Sequence, residues 1–334
     1  MKKIIISDAT LRDGNHAVQH QLTKKQVATY AKAADNAGVN IVEVGHGNGI
    51  GASSMLVGQA KETDVVLLET ARENLKNSKL GIHIIPGFAT IENDLKSAIS
   101  IGVDVFRVAS HCTEANVTEK HIDYCRSEGK EVYGVLMMSH MAPVDVLVEE
   151  ALKMESYGAD AVIIMDSAGY YLPSDVNERV TALRNALQVY IGFHGHNNMG
   201  MAVANSIEAV KCGAVMIDGC ILGFGAGSGN TQLEVLVAVL QRLGYKTDID
   251  LYKILDAADI AKKDVVPAIP TISTNSIVSG MAGVFSGFLK RVDKVAAEYK
   301  VDPRDVFFEL GKRKAIAGQE DLIVEVALEL VKKK

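Results

Sequence analysis

Eight short runs rich in β-branched residues, at 4–10, 41–46, 80–86, 105–110, 132–139, 161–167, 190–196 and 215–222, alternate with stretches of helical spacing. This alternation constrains the fold more than any other feature, because it calls for parallel strands joined by helical crossovers. Residues 24–36 illustrate the helical part: Thr23 can cap the start, and Gly38 can end the helix in a left-handed conformation. Gly38, Gly102, Gly158 and Gly213 occupy similar places before even-numbered runs. They lie about 55 to 64 residues apart, the interval of two strand-helix units in an eightfold barrel. The expected fold is therefore α/β, a (β/α)8 TIM barrel. A doubly wound open sheet is the competing architecture, but the first run lacks the dinucleotide glycine fingerprint.

The pattern changes after the eighth run. Residues 223–230 form a glycine-rich loop leading into a last barrel helix near 231–243. Such loops after late barrel strands often bind phosphate, so that use stands beside a role as active-site rim. The chain breaks at 267–270, and 293–300, 302–311 and 320–333 read as amphipathic helices, with Pro303 suited to a first turn. The division expected is a catalytic barrel over 1–262 and a small helical lid or partner domain over 263–334.

Composition narrows the function. A formal net charge of -6 argues against a nucleic-acid partner, which would need a concentrated basic surface. The start turns polar too soon for a signal peptide, and no apolar stretch approaches a membrane span. Cys112, Cys125, Cys212 and Cys220 follow no zinc-ribbon or Cys-x-x-Cys spacing. A cytoplasmic chain with no membrane attachment is expected.

Polar residues gather at the ends of the apolar runs: Arg12 and Asp13, His46, Ser110 and His111, Ser139 and His140, Asp166 and Ser167, His194 and His196. In a barrel these ends converge on the catalytic face. A strand turns alternate side chains to one face, so His194 and His196 can grip one ion together, with a carboxylate from elsewhere completing the site. Such ligands in an open octahedral site suit Mn²⁺, Mg²⁺ or Co²⁺, and zinc is compatible with the same ligand types. Each feature also has a structural reading. The histidines could be hydrogen-bonded packing, and Asp13 could pair with Arg12 or Arg107. His111 and His140 suit support of the pocket, and Met137, Met138 and Met141 suit packing.

The segment Asp8-Ala9-Thr10-Leu11-Arg12-Asp13-Gly14 resembles the opening motif of the metal-dependent, hydroxymethylglutaryl-CoA lyase-like DRE-TIM superfamily. Stretches at 16–21, 111–115, 136–141, 154–159, 203–207 and 318–321 are similar, within it, to 4-hydroxy-2-oxovalerate aldolases, and the likeness spans nearly the whole chain. The resemblance implies Asp13, His194 and His196 as ligands of a divalent ion, with Mn²⁺ the first choice. It implies Arg12 as the enolate-stabilising arginine, His16 as the acid/base histidine and Ser167 as a pocket residue. The implied reaction is retro-aldol cleavage of a 4-hydroxy-2-oxoacid, foremost 4-hydroxy-2-oxovalerate, to pyruvate and a short aldehyde. An acylating acetaldehyde dehydrogenase is the implied partner of the C-terminal helices, with a lid or homodimer contact as the plainer use.

One position departs from the family. Similar aldolases carry a tyrosine after an Ala-Gly-Val segment, guarding the aldehyde side of the pocket, whereas Ala282-Gly283-Val284 here precedes Phe285. Residues 268–279 also differ from the usual form, so altered aldehyde selection is expected. Two alternatives stand: a Claisen-type acyl-CoA lyase or synthase of the same superfamily, and a non-catalytic barrel binding a dehydrogenase. The glycine loop has no cysteine, unlike the acyl-CoA lyase version, and a metal-dependent sugar isomerase is disfavoured by the opening motif.

Overall fold

A computed structural model describes residues 2–333. Strands β1 (Ile5–Leu11), β2 (Ile41–Val44), β3 (Lys79–Ile84), β4 (Val105–His111), β5 (Glu131–Met137), β6 (Ala161–Asp166), β7 (Tyr190–Gly195) and β8 (Met216–Gly219) pair in sequence order. β8 returns to β1 in parallel register, Ile5 beside Met216, and closes the barrel. All eight predicted runs are strands, but several stop early. The run expected over 132–139 ends at Met137 because Met138 turns left-handed at φ 52°, and that over 215–222 ends at Gly219, before Leu222 at φ 55°.

The crossovers follow their local signals. Helix Lys24–Ala37 starts on a capping box, the Thr23 hydroxyl accepting from the Gln26 amide, and stops at Gly38 with φ 85°. Gly102, Gly158 and Gly213 repeat that left-handed stop at φ 95°, 99° and 118°. Such values strain any residue with a Cβ, which explains the repeat seen in the sequence. The last barrel helix is Leu233–Arg242, and Leu251–Asp264 packs back on Lys24–Ala37.

The main core lies between sheet and helices, with Val42, Val44, Leu80, Ile82, Phe106, Ile164 and Phe193 facing outward into it. Inside the barrel a smaller apolar plug holds Ile41, Val105, Tyr133, Ala161, Ile163 and Met216. Beyond it come helices Thr274–Met281, Leu289–Tyr299, Pro303–Lys312 and Asp321–Lys332, the third opening on Pro303 as expected. They bury a core of their own around Phe288, Val292, Phe307, Leu310, Ile323 and Val326. Burying each such side chain contributes roughly 1.5–3 kcal/mol before the entropy of ordering the helices is subtracted. No helix of the described residues is long and apolar enough to cross a membrane.

Candidate metal centre

β1 delivers its site residues in a tight turn. The amides of Arg12 and Asp13 both donate to the Ala9 carbonyl, at 3.1 and 2.8 Å, so the two side chains leave the strand end together. β7 delivers His194, and His196 follows just past its end, with ring centroids 5.1 Å apart. Asp13, His194 and His196 are buried, and one ligand atom from each lies within 4.8 Å of the others.

The donors fit a divalent ion. His194 Nδ1 sits 2.9 Å from Asp218 Oδ2; the carboxylate accepts its hydrogen and leaves the Nε2 lone pair facing the site. That Nε2 is buried and has no protein partner among the described residues, and neither has Nδ1 of His196. Two imidazole nitrogens stripped of water without a protein hydrogen bond are costly unless a ligand meets them. His196 Nε2 lies 4.0 Å from Asp13 Oδ2. Asp13 Oδ2 also accepts from Arg12 Nη1 at 2.7 Å, and its Oδ1 accepts from the Ala226 amide at 2.9 Å. Burial works against ionising Asp13, yet Arg12 and the histidines outweigh it and hold the carboxyl well below the usual range. Burial pushes His196 down to about 3, keeping its ring neutral as a ligand must be.

The glycine loop is spoken for. Its Ala226 amide goes to Asp13 and its Ser228 amide to Asn198 Oδ1 at 3.0 Å, so these N–H groups are engaged by the protein and not aimed at a phosphate. The rim reading fits this geometry.

Beneath the ligands lies a layer of charge that sequence reasoning missed. Glu43 of β2 accepts from Arg12 Nε with one oxygen and from Arg107 Nη1 with the other, at 2.6 Å; Arg107 of β4 also donates to Asp218 of β8 at 2.5 Å. Burial opposes the Glu43 charge, but Arg107 and Arg12 bring its carboxyl down to about 2. Asp13 pairs with Arg12 as one alternative foresaw; Arg107 turns instead to Glu43 and Asp218. The available signal was a charge at an inward position of an apolar strand, Glu43 two residues after Ile41 and Arg107 two after Val105.

His16 lies on the single turn Gly14–Ala17, half-buried, its ring edge-on to Phe285 at 6.3 Å and to His20 at 5.1 Å. Gly47 lies against it so closely that a Cβ there would come within 2.6 Å of the imidazole. Burial lowers the His16 pKa, leaving a neutral ring able to take a proton. His16 and Phe285 line a cavity of about 630 Å³ with His20, Met55, Leu56 and Lys290; His16, Ala226, Pro270 and Ser286 line a second of about 240 Å³.

The other predicted polar residues serve the frame. His46 stacks on His20 at 3.6 Å and bonds the Gly58 carbonyl and the Asn48 amide. Ser110 donates to the His111 carbonyl, His111 meets Thr113 Oγ1 at 2.9 Å, and Ser139 donates to the Met165 carbonyl. Asp166 accepts the Tyr170 and Tyr171 amides, and burial pushes its carboxyl up to about 7. Ser167 Oγ accepts from the Met138 amide, and its carbonyl accepts from Ser286 at 3.0 Å. Together with His140 Nε2 on the Gly283 carbonyl and Asn198 Nδ2 on Ser286 Oγ, both at 3.0 Å, these bonds clamp the segment carrying Phe285 onto the barrel mouth.

Residues 3–261 match the HMGL-like family model, and residues 270–332 match the DmpG-like communication domain. A 4-hydroxy-2-oxovalerate aldolase of Pectobacterium atrosepticum is 63% identical over 99% of this chain and 97% of its own length. Its counterpart from Spirochaeta aurantia is also 63% identical, over 98% and 96%. Among solved structures, the carboxyl transferase domain of Rhizobium etli pyruvate carboxylase superposes with TM-score 0.83 at 16% identity, covering 100% of this chain and 61% of that one. The N-terminal domain of a putative aldolase from Bacteroides vulgatus gives 0.75 at 24%, covering 89% and 98%. These two share the fold. With near-complete coverage at that identity and both family models matched, the chain belongs to the 4-hydroxy-2-oxovalerate aldolase family.

Proposed function

We propose that the barrel, residues 1–262, is a divalent-metal-dependent carbon-carbon lyase. It cleaves 4-hydroxy-2-oxovalerate, or a close 4-hydroxy-2-oxoacid, to pyruvate and a short aldehyde, acetaldehyde for the parent substrate. Asp13, His194 and His196 would hold the ion, Mn²⁺ first and Mg²⁺ or Co²⁺ as substitutes. When bound, the ion supplies Lewis-acid charge for the ketoacid oxygens.

Arg12 presents a second positive charge. Its Nη2 is buried and has no partner among the described residues, while Nε and Nη1 are fixed on Glu43 and Asp13, so Nη2 is left to donate to the C2 oxygen. As the C3–C4 bond breaks, its electron pair moves toward that oxygen, and a guanidinium that stays protonated strengthens its hold as charge develops. His16 takes the C4 hydroxyl proton, so the departing fragment leaves as an aldehyde, and a proton delivered to C3 completes pyruvate. Phe285 borders the aldehyde side, where the missing phenol hydroxyl supports a changed choice of aldehyde, and Ser167 is the further pocket residue that the family resemblance implies.

The C-terminal domain, residues 263–334, would dock an acylating acetaldehyde dehydrogenase that consumes the aldehyde, in the cytoplasm. The match to a communication domain supports this use. The observation that carries the whole reading is the trio of buried ligand atoms, two of whose rings keep an unpartnered nitrogen. Chain stripped of metal and reloaded with Mn²⁺ should release pyruvate from 4-hydroxy-2-oxovalerate, measured by coupled NADH oxidation with lactate dehydrogenase. Release of pyruvate from no short 4-hydroxy-2-oxoacid would overturn the proposal, and turnover of an acyl-CoA instead would favour the Claisen alternative.

A further inference from the structure

We propose that Arg107 and Asp218 are positioning residues of the lyase site, one buried relay that aims His194 at the ion and Arg12 at the substrate together. The inference rests on the ligand set proposed above.

An imidazole can offer Nε2 to a cation only while its hydrogen stays on Nδ1. Asp218 Oδ2 enforces that tautomer from 2.9 Å, and the same oxygen is held by Arg107 Nη2 at 2.5 Å. The other arm of the Arg107 fork donates to Glu43 at 2.6 Å, and Glu43 in turn fixes Arg12 Nε. One guanidinium on β4 thus joins β8 and the β7 histidine to β2 and the β1 arginine, across the barrel interior. Arg107 is fully buried, and Glu43, Asp218, Arg12 and His194 are each at most 4% exposed.

Stability alone gives this layer little reason to exist. Ions taken from water lose hydration that their mutual attraction hardly restores, and apolar side chains of equal volume commonly serve a core as well or better. The plug beneath, with Ile41, Val105, Tyr133 and Met216, is built that way. Among the described residues, His194 Nε2 and Arg12 Nη2 at the relay's two ends are buried without a partner, as is Nε of Arg107 between them, but only the two ends belong to side chains assigned to the ion and the substrate. Charge balance agrees, since two guanidiniums against Asp13, Glu43 and Asp218 leave one negative charge, suited to a cation.

The test uses the full chain and its Asp218→Asn and Arg107→Met variants. Each is read by Mn²⁺ binding (EPR of the free ion), by the ¹⁵N NMR tautomer state of His194 without metal, and by Mn²⁺-saturated exchange of the pyruvate methyl protons with solvent. Asp218→Asn should weaken Mn²⁺ binding about 10- to 100-fold and mix the His194 tautomers. Arg107→Met should do both and also lower the saturated exchange rate, with partial rescue by Arg107→Lys. If Arg107→Met does not fold, Asp218→Asn decides alone. Folded variants with unchanged Mn²⁺ affinity and tautomer overturn the relay, even if their melting temperatures drop. A wild-type chain that binds no Mn²⁺ overturns the ligand set, and with it the purpose assigned here.

Discussion

Replacing Glu43 by Gln removes the one carboxylate that separates two buried guanidiniums. Glu43 is fully buried, and its carboxyl falls from an ordinary 4.5 to about 2 under the opposing pull of burial and the two arginines. At roughly 1.4 kcal/mol for each pH unit, that difference is worth about 3 kcal/mol at neutral pH. Breaking one partner out of a buried ion pair gives a similar figure, about 3–5 kcal/mol. Because the folded value is depressed, the stabilisation is complete above 4.5 and is lost as pH falls toward 2. Urea unfolding of wild type and Glu43→Gln should differ by about 3 kcal/mol at pH 7, and the gap should begin closing below about pH 4.5. Melting should drop by on the order of 4–6 °C. A gap under about 1 kcal/mol, or one independent of pH down to the acid limit of folding, would refute the claim that Glu43 is charged and braced between Arg12 and Arg107.

Other perturbations probe separate parts. Asp8 is buried beneath Tyr30 and Thr10, and burial pushes its carboxyl from 3.8 up to about 6, so its contribution is full at low pH and is lost as pH rises through that window. Asp8→Asn should therefore gain stability relative to wild type between about pH 4 and 6, as urea titrations at the two ends would read; a constant difference contradicts it. Gly14→Ala would set a Cβ 2.4 Å from the Phe224 ring and displace the glycine loop that holds Asp13. Calorimetry should show a loss of about 1–3 kcal/mol, with weaker Mn²⁺ binding alongside. Phe285→Tyr should shift the ratio of kcat/KM between acetaldehyde and longer aldehydes in the aldol direction while leaving pyruvate proton exchange unchanged. Chelating the ion should lower melting, the holo form gaining about 2.7 kcal/mol at a hundredfold excess over Kd.

The barrel was legible because its signals are local. Strand runs, the Thr23 cap and glycines at helix ends each act within a few residues; Gly38 takes the left-handed angle expected at its helix end, and Gly102, Gly158 and Gly213 repeat it. The clustering of the three side chains proposed as ligands was legible in part from the two-residue period of His194 and His196, and Asp13 came from the resemblance. Glu43 and Asp218 escaped notice, and Arg107 was considered only as a partner for Asp13, because their meaning is not local: Arg107 lies 64 residues from one partner and 111 from the other. Only closure of the sheet brings them to one level. Strand ends were overrun for a related reason, since nothing in the identity of Met138 or Leu222 announces a positive φ.

Diffraction from crystals grown with Mn²⁺ and oxalate, a dead-end stand-in for the ketoacid, bears most directly on the central claim. Anomalous density should appear between a carboxylate oxygen of Asp13, Nε2 of His194 and a ring nitrogen of His196, with oxalate beside it and Arg12 Nη2 in contact. An ion found elsewhere, or no ion with His194 turned away from that space, would contradict the account.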